Sequence, residues 1–121
     1  MNLLSDQSER DDMFWTKRRL LSQPRLVMQL HVTGQCNLHC KHCYRESERP
    51  GCLSTEDIFD LFLQFEALHQ AFNQTYGSTR PGQINLTGGE PFLMADMLEL
   101  IACLGAMRKS VRFSVLTNGT L

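Results

Sequence analysis

Apolar and polar residues alternate along residues 25–33, RLVMQLHVT, and an alternation of period two over that length predicts a β-strand. Two shorter segments, QINLT at residues 83–87 and VRFSVLT at residues 111–117, predict a second and a third strand. Between the strands, apolar residues recur at helical spacing over residues 55–72 and again over residues 94–104. The predicted order is therefore strand, helix, strand, helix, strand.

The segment 55–72 is predicted to be a helix with one apolar face. Ser54, with Asp57 three residues later, is a typical signal for the start of a helix. The apolar residues at helical spacing are Ile58, Leu61, Phe62, Phe65, Leu68 and Phe72. His69 lies outside this set, and we expect it to be exposed. In the second helix, Cys103 lies among apolar residues and is expected to be buried.

Strands that alternate with helices are typical of α/β proteins, in which crossover helices join parallel strands. We therefore predict a core domain over residues 25–121, with three parallel strands and crossover helices. A short helical extension, residues 1–24, precedes this domain.

Within that extension, the polar residues 1–12 predict a loosely held leader. Residues 13–22, MFWTKRRLLS, predict a short helix that ends before Pro24. Phe14 and Trp15 on this helix are expected to cover an edge of the core.

Composition limits the classes of protein to consider. Of the 121 residues, 42% are hydrophobic and 21% charged, which is typical of a globular domain. The net charge of −1 offers no basic field for a nucleic acid and no cationic helix for a membrane surface. The first residues lack the pattern of a signal peptide, and no apolar run approaches the ~20 residues that span a bilayer. We therefore expect a cytoplasmic protein with neither nucleic acid nor membrane as a partner.

Three polar motifs each follow one of the predicted strands. They are CNLHCKHCY at residues 36–44, GGEP at residues 88–91 and TNG at residues 117–119. The carboxyl ends of parallel strands lie on one rim of the sheet, where α/β proteins place their active sites. The strands also share a polar face, formed by Gln29, His31, Asn85 and Ser114. A barrel lumen that receives a polar ligand and a half-solvated sheet both predict that face. His31 accordingly either contacts a substrate or only packs in the lumen.

Cys36, Cys40 and Cys43 have the spacing Cys-x3-Cys-x2-Cys. Five cysteines, an odd number with three clustered, indicate metal or redox chemistry rather than disulfides in a reducing compartment. Thiolates select zinc, copper(I) or iron–sulfur clusters. Three thiolates on a four-iron cluster would leave one iron open to a small molecule. Structural zinc needs a fourth ligand, and the candidates for it here are Cys52, His39 and His42.

The motif CNLHCKHC, together with GGEP and TNG, resembles the radical S-adenosylmethionine (SAM) superfamily from about Leu26 to the last residue. The resemblance implies a partial (β/α) barrel. It also implies that Cys36, Cys40 and Cys43 ligate a [4Fe–4S] cluster whose fourth iron is chelated by SAM. No side chain is assigned a catalytic role by the resemblance.

The cofactor-binding residues follow from the same resemblance. His42 stands where the family has an aromatic residue beside the adenine. Gly88, Gly89 and Glu90 would meet the methionyl amino group, and Asn118 lines the same pocket. Glycine permits close approach of the backbone, and a carboxylate matches a positive charge.

The implied activity is reductive cleavage of SAM to a 5′-deoxyadenosyl radical, which abstracts hydrogen from a substrate. An electron donor such as a flavodoxin or ferredoxin would be a partner. The motifs most resemble the branch of the family that matures peptides and proteins. An alternative of a different class is a non-catalytic module that binds zinc or a cluster and interacts with a partner.

An eight-stranded barrel takes about 250 residues, and only three strands are predicted here. We therefore expect the chain to be the N-terminal part of the core domain, which holds a cluster but does not turn over substrate by itself.

Overall fold

The computed structural model describes residues 3–44, 51–107 and 110–121. Its elements in chain order are α1 (Leu3–Ser22), β1 (Val27–Thr33), α2 (Thr55–Tyr76), β2 (Gly82–Gly88), α3 (Met97–Met107) and β3 (Val111–Val115). A single 3-10 turn, Pro91–Leu93, stands between β2 and α3. Within the described residues, no helix combines the length and the apolar character needed to cross a membrane.

The three described strands form one open sheet in the order β1-β2-β3, and both neighbouring pairs are parallel. Val27 lies opposite Gln83 at the start of the sheet, and Gly82 lies opposite Val111. The register shifts near the end of β1, so that Thr33 lies opposite Gly88. The predicted α/β fold, with three parallel strands and helices between them, is confirmed.

One face of the sheet packs against α2 and α3 to form the core. The buried apolar residues are Val32, Ile58, Phe62, Phe65, Ile84, Leu86, Met97, Leu100, Leu104 and Val111. The opposite face is polar, as the alternation predicted. Gln29, His31 and Ser114 are exposed on it, and the Ser114 hydroxyl donates to Asn85 Oδ1 over 2.8 Å. The sheet thus separates an apolar core from a polar surface.

Helix α2 begins at the predicted residue and ends four residues later than predicted. Ser54 and Asp57 form a reciprocal capping box, in which Ser54 Oγ accepts from the Asp57 N–H over 3.0 Å and the Asp57 carboxylate accepts from the Ser54 N–H. The hydrogen bonds from the Ser54 side chain and backbone hold the pKa of Asp57 below its ordinary value. The helix stops at Gly77, whose φ of 61° is the left-handed conformation typical of a helix C-cap.

The prediction that His69 is exposed is wrong. Its side chain is buried, whereas Leu68 beside it is 57% exposed. The His69 Nε2 atom lies 2.9 Å from the Arg80 carbonyl oxygen, and the ring stacks on Phe65. Buried positions on α2 follow the spacing of four, three and four residues from Ile58 to His69, so the polar residue that continues the stripe is buried.

The expected positions of the N-terminal residues also need correction. Helix α1 begins at Leu3 and includes most of the predicted leader, because residues 1–22 contain neither glycine nor proline to interrupt it. Phe14 and Trp15 do not cover the core edge; they are 58% and 60% exposed and pack edge to face on each other.

Helix α3 begins three residues after Met94, where the prediction placed the first apolar residue of the helix. Cys103 on this helix is exposed, against expectation. The buried positions of α3 are Met97, Leu100 and Leu104, and a residue one position before Leu104 lies on a different side of the helix. Apolar neighbours in sequence therefore do not place Cys103 in the core.

Candidate cluster and cofactor site

The three predicted motifs meet at the carboxyl ends of the strands. The Gly89 N–H donates to the Thr33 carbonyl oxygen over 2.9 Å, and the Glu90 N–H donates to the Gln35 carbonyl oxygen over 2.8 Å. These bonds join the loop after β1 to the loop after β2. The Leu116 N–H donates to the carbonyl oxygen of Leu86 over 2.9 Å, which extends the pairing of β2 with β3 up to the TNG motif. The rim predicted from the sequence is therefore present.

The cysteine loop, residues 34–44, contains neither helix nor strand. The Cys43 N–H donates to the Cys40 carbonyl oxygen over 3.1 Å and closes a four-residue turn. A turn of this kind holds the Cα atoms of its first and last residues within about 7 Å. Cys36 is half-buried, Cys40 and Cys43 are exposed, and all three are free thiols. One irregular loop therefore carries three accessible thiols at the rim.

The donor chemistry of this loop fits an iron–sulfur cluster. Thiolates are the ligands that such clusters use, and each of the three cysteines is free to become one. Among the described residues, no three His, Cys, Asp or Glu side chains are gathered as a ready metal-binding group. The loop therefore fits an iron–sulfur cluster by the type of its ligands and by their position on the rim, and not by a preformed arrangement of the three thiols.

Gly88 has a structural role at the junction of β1 and β2. Its φ is 133°, and a Cβ atom at this position would overlap the carbonyl oxygen of Thr33. That oxygen also accepts the N–H of Gly89. The resemblance to the radical SAM superfamily implies a close approach of the backbone to SAM at this glycine. In this structure the group that comes close to Gly88 is the Thr33 carbonyl oxygen at the end of β1.

Glu90 has no exposed surface, and its carboxylate accepts three hydrogen bonds from its own chain. Oε1 accepts from the Thr117 hydroxyl over 2.7 Å and from the Phe92 N–H over 3.1 Å. Oε2 accepts from the Asn118 N–H over 2.8 Å. Burial raises the pKa of the Glu90 carboxyl, but the hydrogen bonds from Asn118, Thr117 and Phe92 outweigh burial and lower the pKa from its ordinary value of 4.5. A buried carboxylate therefore joins the GGEP and TNG motifs.

A third connection links the cysteine loop to the loop after β3, and the sequence analysis missed it. The Asn118 side-chain N–H donates to Asn37 Oδ1 over 2.9 Å, and the Asn37 side-chain N–H donates to the Thr120 hydroxyl oxygen over 2.9 Å. The only signal in the sequence was an asparagine between two candidate ligands. Each of the three loops at the rim, after β1, β2 and β3, is therefore hydrogen-bonded to the other two.

The remaining candidates lie around the same loop. His42 is exposed on the turn between Cys40 and Cys43. Cys52 is exposed, pairs through its backbone with Thr33, and its thiol donates to its neighbour's carbonyl oxygen over 3.5 Å. It lies at the base of the cysteine loop, but in the described residues it does not complete a four-ligand group. His31 is exposed on the polar face of β1.

A groove of about 360 Å³ lies between α3 and the end of β3. Its lining residues are Phe92, Met94, Ala95, Met97, Leu98, Thr117, Gly119 and Leu121. None of these side chains is charged. A ligand with an ammonium and a carboxylate group would find no matching charge there, so the polar rim is the better candidate for SAM.

Comparisons with known proteins identify the family of the chain. The sequence model of the radical SAM superfamily matches residues 30–121. The GTP 3',8-cyclases of Stenotrophomonas maltophilia strains K279a and R551-3 are each 34% identical to this chain over 98 residues. The alignment covers 78% of this chain and 27% of the relative, so the chain spans about a quarter of the length of these curated relatives. No solved structure matches the chain significantly.

These relatives carry the name of a nucleotide cyclase rather than of a peptide maturase, so the predicted branch is not confirmed. Proteins of the superfamily use a [4Fe–4S] cluster and SAM, the two cofactors that the sequence predicted. Because the match runs through all three rim motifs, this chain belongs to the radical SAM superfamily.

Proposed function

We propose that this chain forms the part of a radical SAM enzyme that binds the cluster and SAM and starts the radical reaction. The observation that carries the proposal is the rim itself: the cysteine loop, GGEP and TNG are bonded to one another at the ends of three parallel strands.

Cys36, Cys40 and Cys43 would hold the [4Fe–4S] cluster through their thiolates. When bound, the cluster supplies the electron that cleaves SAM and yields the 5′-deoxyadenosyl radical, which takes hydrogen from the substrate. The chain's own contribution is to bind and orient both groups at the rim. Cys40 and Cys43 are exposed, so an electron donor such as a flavodoxin or ferredoxin could approach this loop closely.

The backbone of Gly88 and Gly89 would receive the amino group of SAM. An ionised carboxylate has about four acceptor positions, and in Glu90 three of them are filled by donors of its own chain. Glu90 would therefore support the binding of the amino group mainly through its negative charge inside the rim. The side chain of Asn118 donates to Asn37 in the cysteine loop, which supports a position beside both cofactors. His42, exposed on the cysteine turn, would lie against the adenine.

The substrate has two candidate classes. GTP is one, supported by the name of the relatives, although the shared segment is only 27% of their length and is the part that carries the cofactor motifs. A peptide or protein undergoing maturation is the other, supported by the resemblance of CNLHCKHCY to that branch. Arg25 and Arg112 lie near the starts of strands and away from the rim, whereas Lys41 is an exposed cation within the cysteine loop.

The experiment is anaerobic reconstitution with iron and sulfide, followed by metal analysis, EPR of the reduced protein with and without SAM, and mass spectrometry for 5′-deoxyadenosine. We expect about four irons per chain and an EPR signal that changes when SAM binds. Cys40→Ala should lose both, whereas Cys103→Ala, which changes an exposed thiol on α3, should retain both.

Stoichiometric zinc without iron would overturn the proposal in favour of a non-catalytic binding module. Because the chain spans 27% of the length of these relatives, SAM cleavage is measured both in the 121-residue chain and in any longer natural polypeptide that contains it. Transfer of deuterium from labelled GTP or from a labelled peptide into 5′-deoxyadenosine then distinguishes the two substrate classes.

A further inference from the structure

Asn37, Asn118 and Thr120 form a closed ring of hydrogen bonds at the rim. The Asn118 side-chain N–H donates to Asn37 Oδ1 over 2.9 Å, and the Asn37 side-chain N–H donates to Thr120 Oγ1 over 2.9 Å. The Thr120 hydroxyl donates in turn to Asn118 Oδ1 over 2.8 Å, which closes the ring. All three donors point the same way around it, an arrangement in which each bond polarises the next.

The ring is anchored on one side and attached to the cysteine loop on the other. Its anchor is the buried carboxylate of Glu90, which accepts the backbone N–H of Asn118 over 2.8 Å. Its other end is Asn37, which directly follows Cys36 and lies three residues before Cys40. The ring therefore connects a fixed, buried group to the segment between two candidate cluster ligands.

Asn37 is exposed, so core packing does not explain its contacts. The cysteine loop has no helix or strand to hold it, and the side-chain bonds of Asn37 join it to the loop after β3, whereas the turn at Cys40 is a local contact. Both the donor and the acceptor of the Asn37 amide are used in the ring. The contacts thus set where the first part of the loop stands relative to the end of β3.

We propose that Asn37 is a positioning residue for the cluster, acting through the ring to fix the cysteine loop against the SAM-binding side of the rim. This proposal rests on the proposed function, because it takes Cys36 and Cys40 as cluster ligands and Asn118 as part of the SAM site. Asn37 would act through the ring and not by contact with the reacting atoms or SAM. Its effect is on how firmly the cluster is held and on how well SAM meets it.

The test compares Asn37→Ala, Thr120→Val and the double variant with the wild type, all reconstituted to equal iron content. Thr120→Val keeps the shape of the side chain and removes the hydroxyl that links the two asparagines, so it serves even if Asn37→Ala folds poorly. Leu38→Ala is the matched control, because Leu38 is the next residue in the same loop, is 38% exposed and lies outside the ring.

We expect iron loss to a chelator to be about tenfold faster in each single ring variant, a factor within reach of losing one or two neutral hydrogen bonds. The SAM concentration that half-saturates the EPR change should rise by a similar factor. The double variant should be no worse than Asn37→Ala, because that single change already removes both bonds between the cysteine loop and the loop after β3. Leu38→Ala should match the wild type.

Equal chelation rates in wild type and Asn37→Ala, additive effects in the double variant, or an equally large effect of Leu38→Ala would each overturn the positioning role. A wild type that takes up zinc and no iron overturns the proposed function instead, and this proposal with it. The two failures are therefore distinguishable from the metal content of the wild type alone.

Discussion

The backbone N–H of Asn118 lies 2.8 Å from Oε2 of Glu90, and this bond, together with the one from the Thr117 hydroxyl to Oε1, joins the loop after β3 to the loop after β2. The same carboxylate also accepts the Phe92 N–H and has no exposed surface. The GGEP motif, which would bind the amino group of SAM, therefore also holds the TNG motif in place. Loss of the Glu90 charge should affect the fold of the rim as well as any cofactor.

Replacing Glu90 with glutamine should destabilise the protein by about 2 kcal/mol, because a hydrogen bond to a buried charge is worth ~1.5–3 kcal/mol. Glutamine keeps the length of the side chain but turns one acceptor into a donor, which then faces an N–H or a hydroxyl. Urea unfolding of the cluster-free protein measures the change. Glu99→Gln on the exposed side of α3 is the control and should change the stability by only a few tenths of a kcal/mol. Equal effects of the two variants would contradict a stabilising role for the hydrogen bonds to the buried Glu90 carboxylate.

The difference in stability between the wild type and Glu90→Gln should depend on pH. The pKa of Glu90 is lowered in the folded state, so its contribution is complete above the pKa of the unfolded chain and is lost as the pH falls through the folded pKa. The difference should therefore be constant between about pH 6 and 8 and shrink below the ordinary value of 4.5. Unfolding curves of both proteins at several pH values test this. A difference that grew on acidification would show that the pKa is raised instead.

Gly88→Ala should destabilise the rim by at least about 2 kcal/mol. The new Cβ would meet the carbonyl oxygen of Thr33, and a φ of 133° is strained for any residue with a side chain. Gly77→Ala is a matched control, since Gly77 also has a positive φ but has no atom within 4 Å of the position of a Cβ. That control should cost about 1 kcal/mol, which is the conformational term alone. Thermal unfolding of both variants measures how much more alanine costs at Gly88, where φ and overlap are both unfavourable, than at Gly77, where a Cβ has open space.

His69→Ala should cost about 2–4 kcal/mol, because it removes a buried ring and the contact of that ring with the Arg80 carbonyl oxygen. Asn73 Nδ2 lies 3.1 Å from His69 Nε2, and the Ser110 hydroxyl lies 3.4 Å from Nδ1. Leu68→Ala is the neighbouring control, with a side chain that is 57% exposed, and should cost well under half as much. Chemical denaturation at pH 7 gives both values. If Leu68→Ala lost more stability than His69→Ala, the apolar face predicted from the sequence, with Leu68 in it and His69 outside it, would be correct instead.

The strand pattern and the rim were predictable because both depend on local rules. Alternation from Val27 to Thr33 has a single reading as a strand, and parallel strands bring their carboxyl ends together whatever the details of packing. The capping box at Ser54 was predictable for the same reason, since its bonds span only three residues. Local chemistry was enough for these features.

The features that were missed depend on partners distant in sequence. His69 is buried because the Arg80 carbonyl oxygen and Ser110, 11 and 41 residues away, provide its hydrogen bonds. Asn37 was overlooked because its partners lie more than 80 residues later in the chain. Hydropathy counts a histidine or an asparagine as polar and does not register whether the fold supplies a partner. A polar residue inside an otherwise regular pattern therefore needs the tertiary structure to be interpreted.

The metal content offers the sharpest test of the cysteine assignment, and Cys52 is the residue that decides it. A zinc site needs a fourth protein ligand, and Cys52 is the only other thiol at the base of the loop in the described residues. A cluster that takes SAM on its open iron needs only Cys36, Cys40 and Cys43. We predict that Cys52→Ala retains about four irons per chain and the EPR change with SAM.

Each alanine variant of the three motif cysteines should instead lose the iron–sulfur absorbance. Cys103→Ala controls for the loss of an exposed thiol far along the chain on α3. If Cys52→Ala lost its metal together with the three motif variants, four thiolates would be the ligand set. The open coordination position on which SAM binding depends would then be filled by the protein itself.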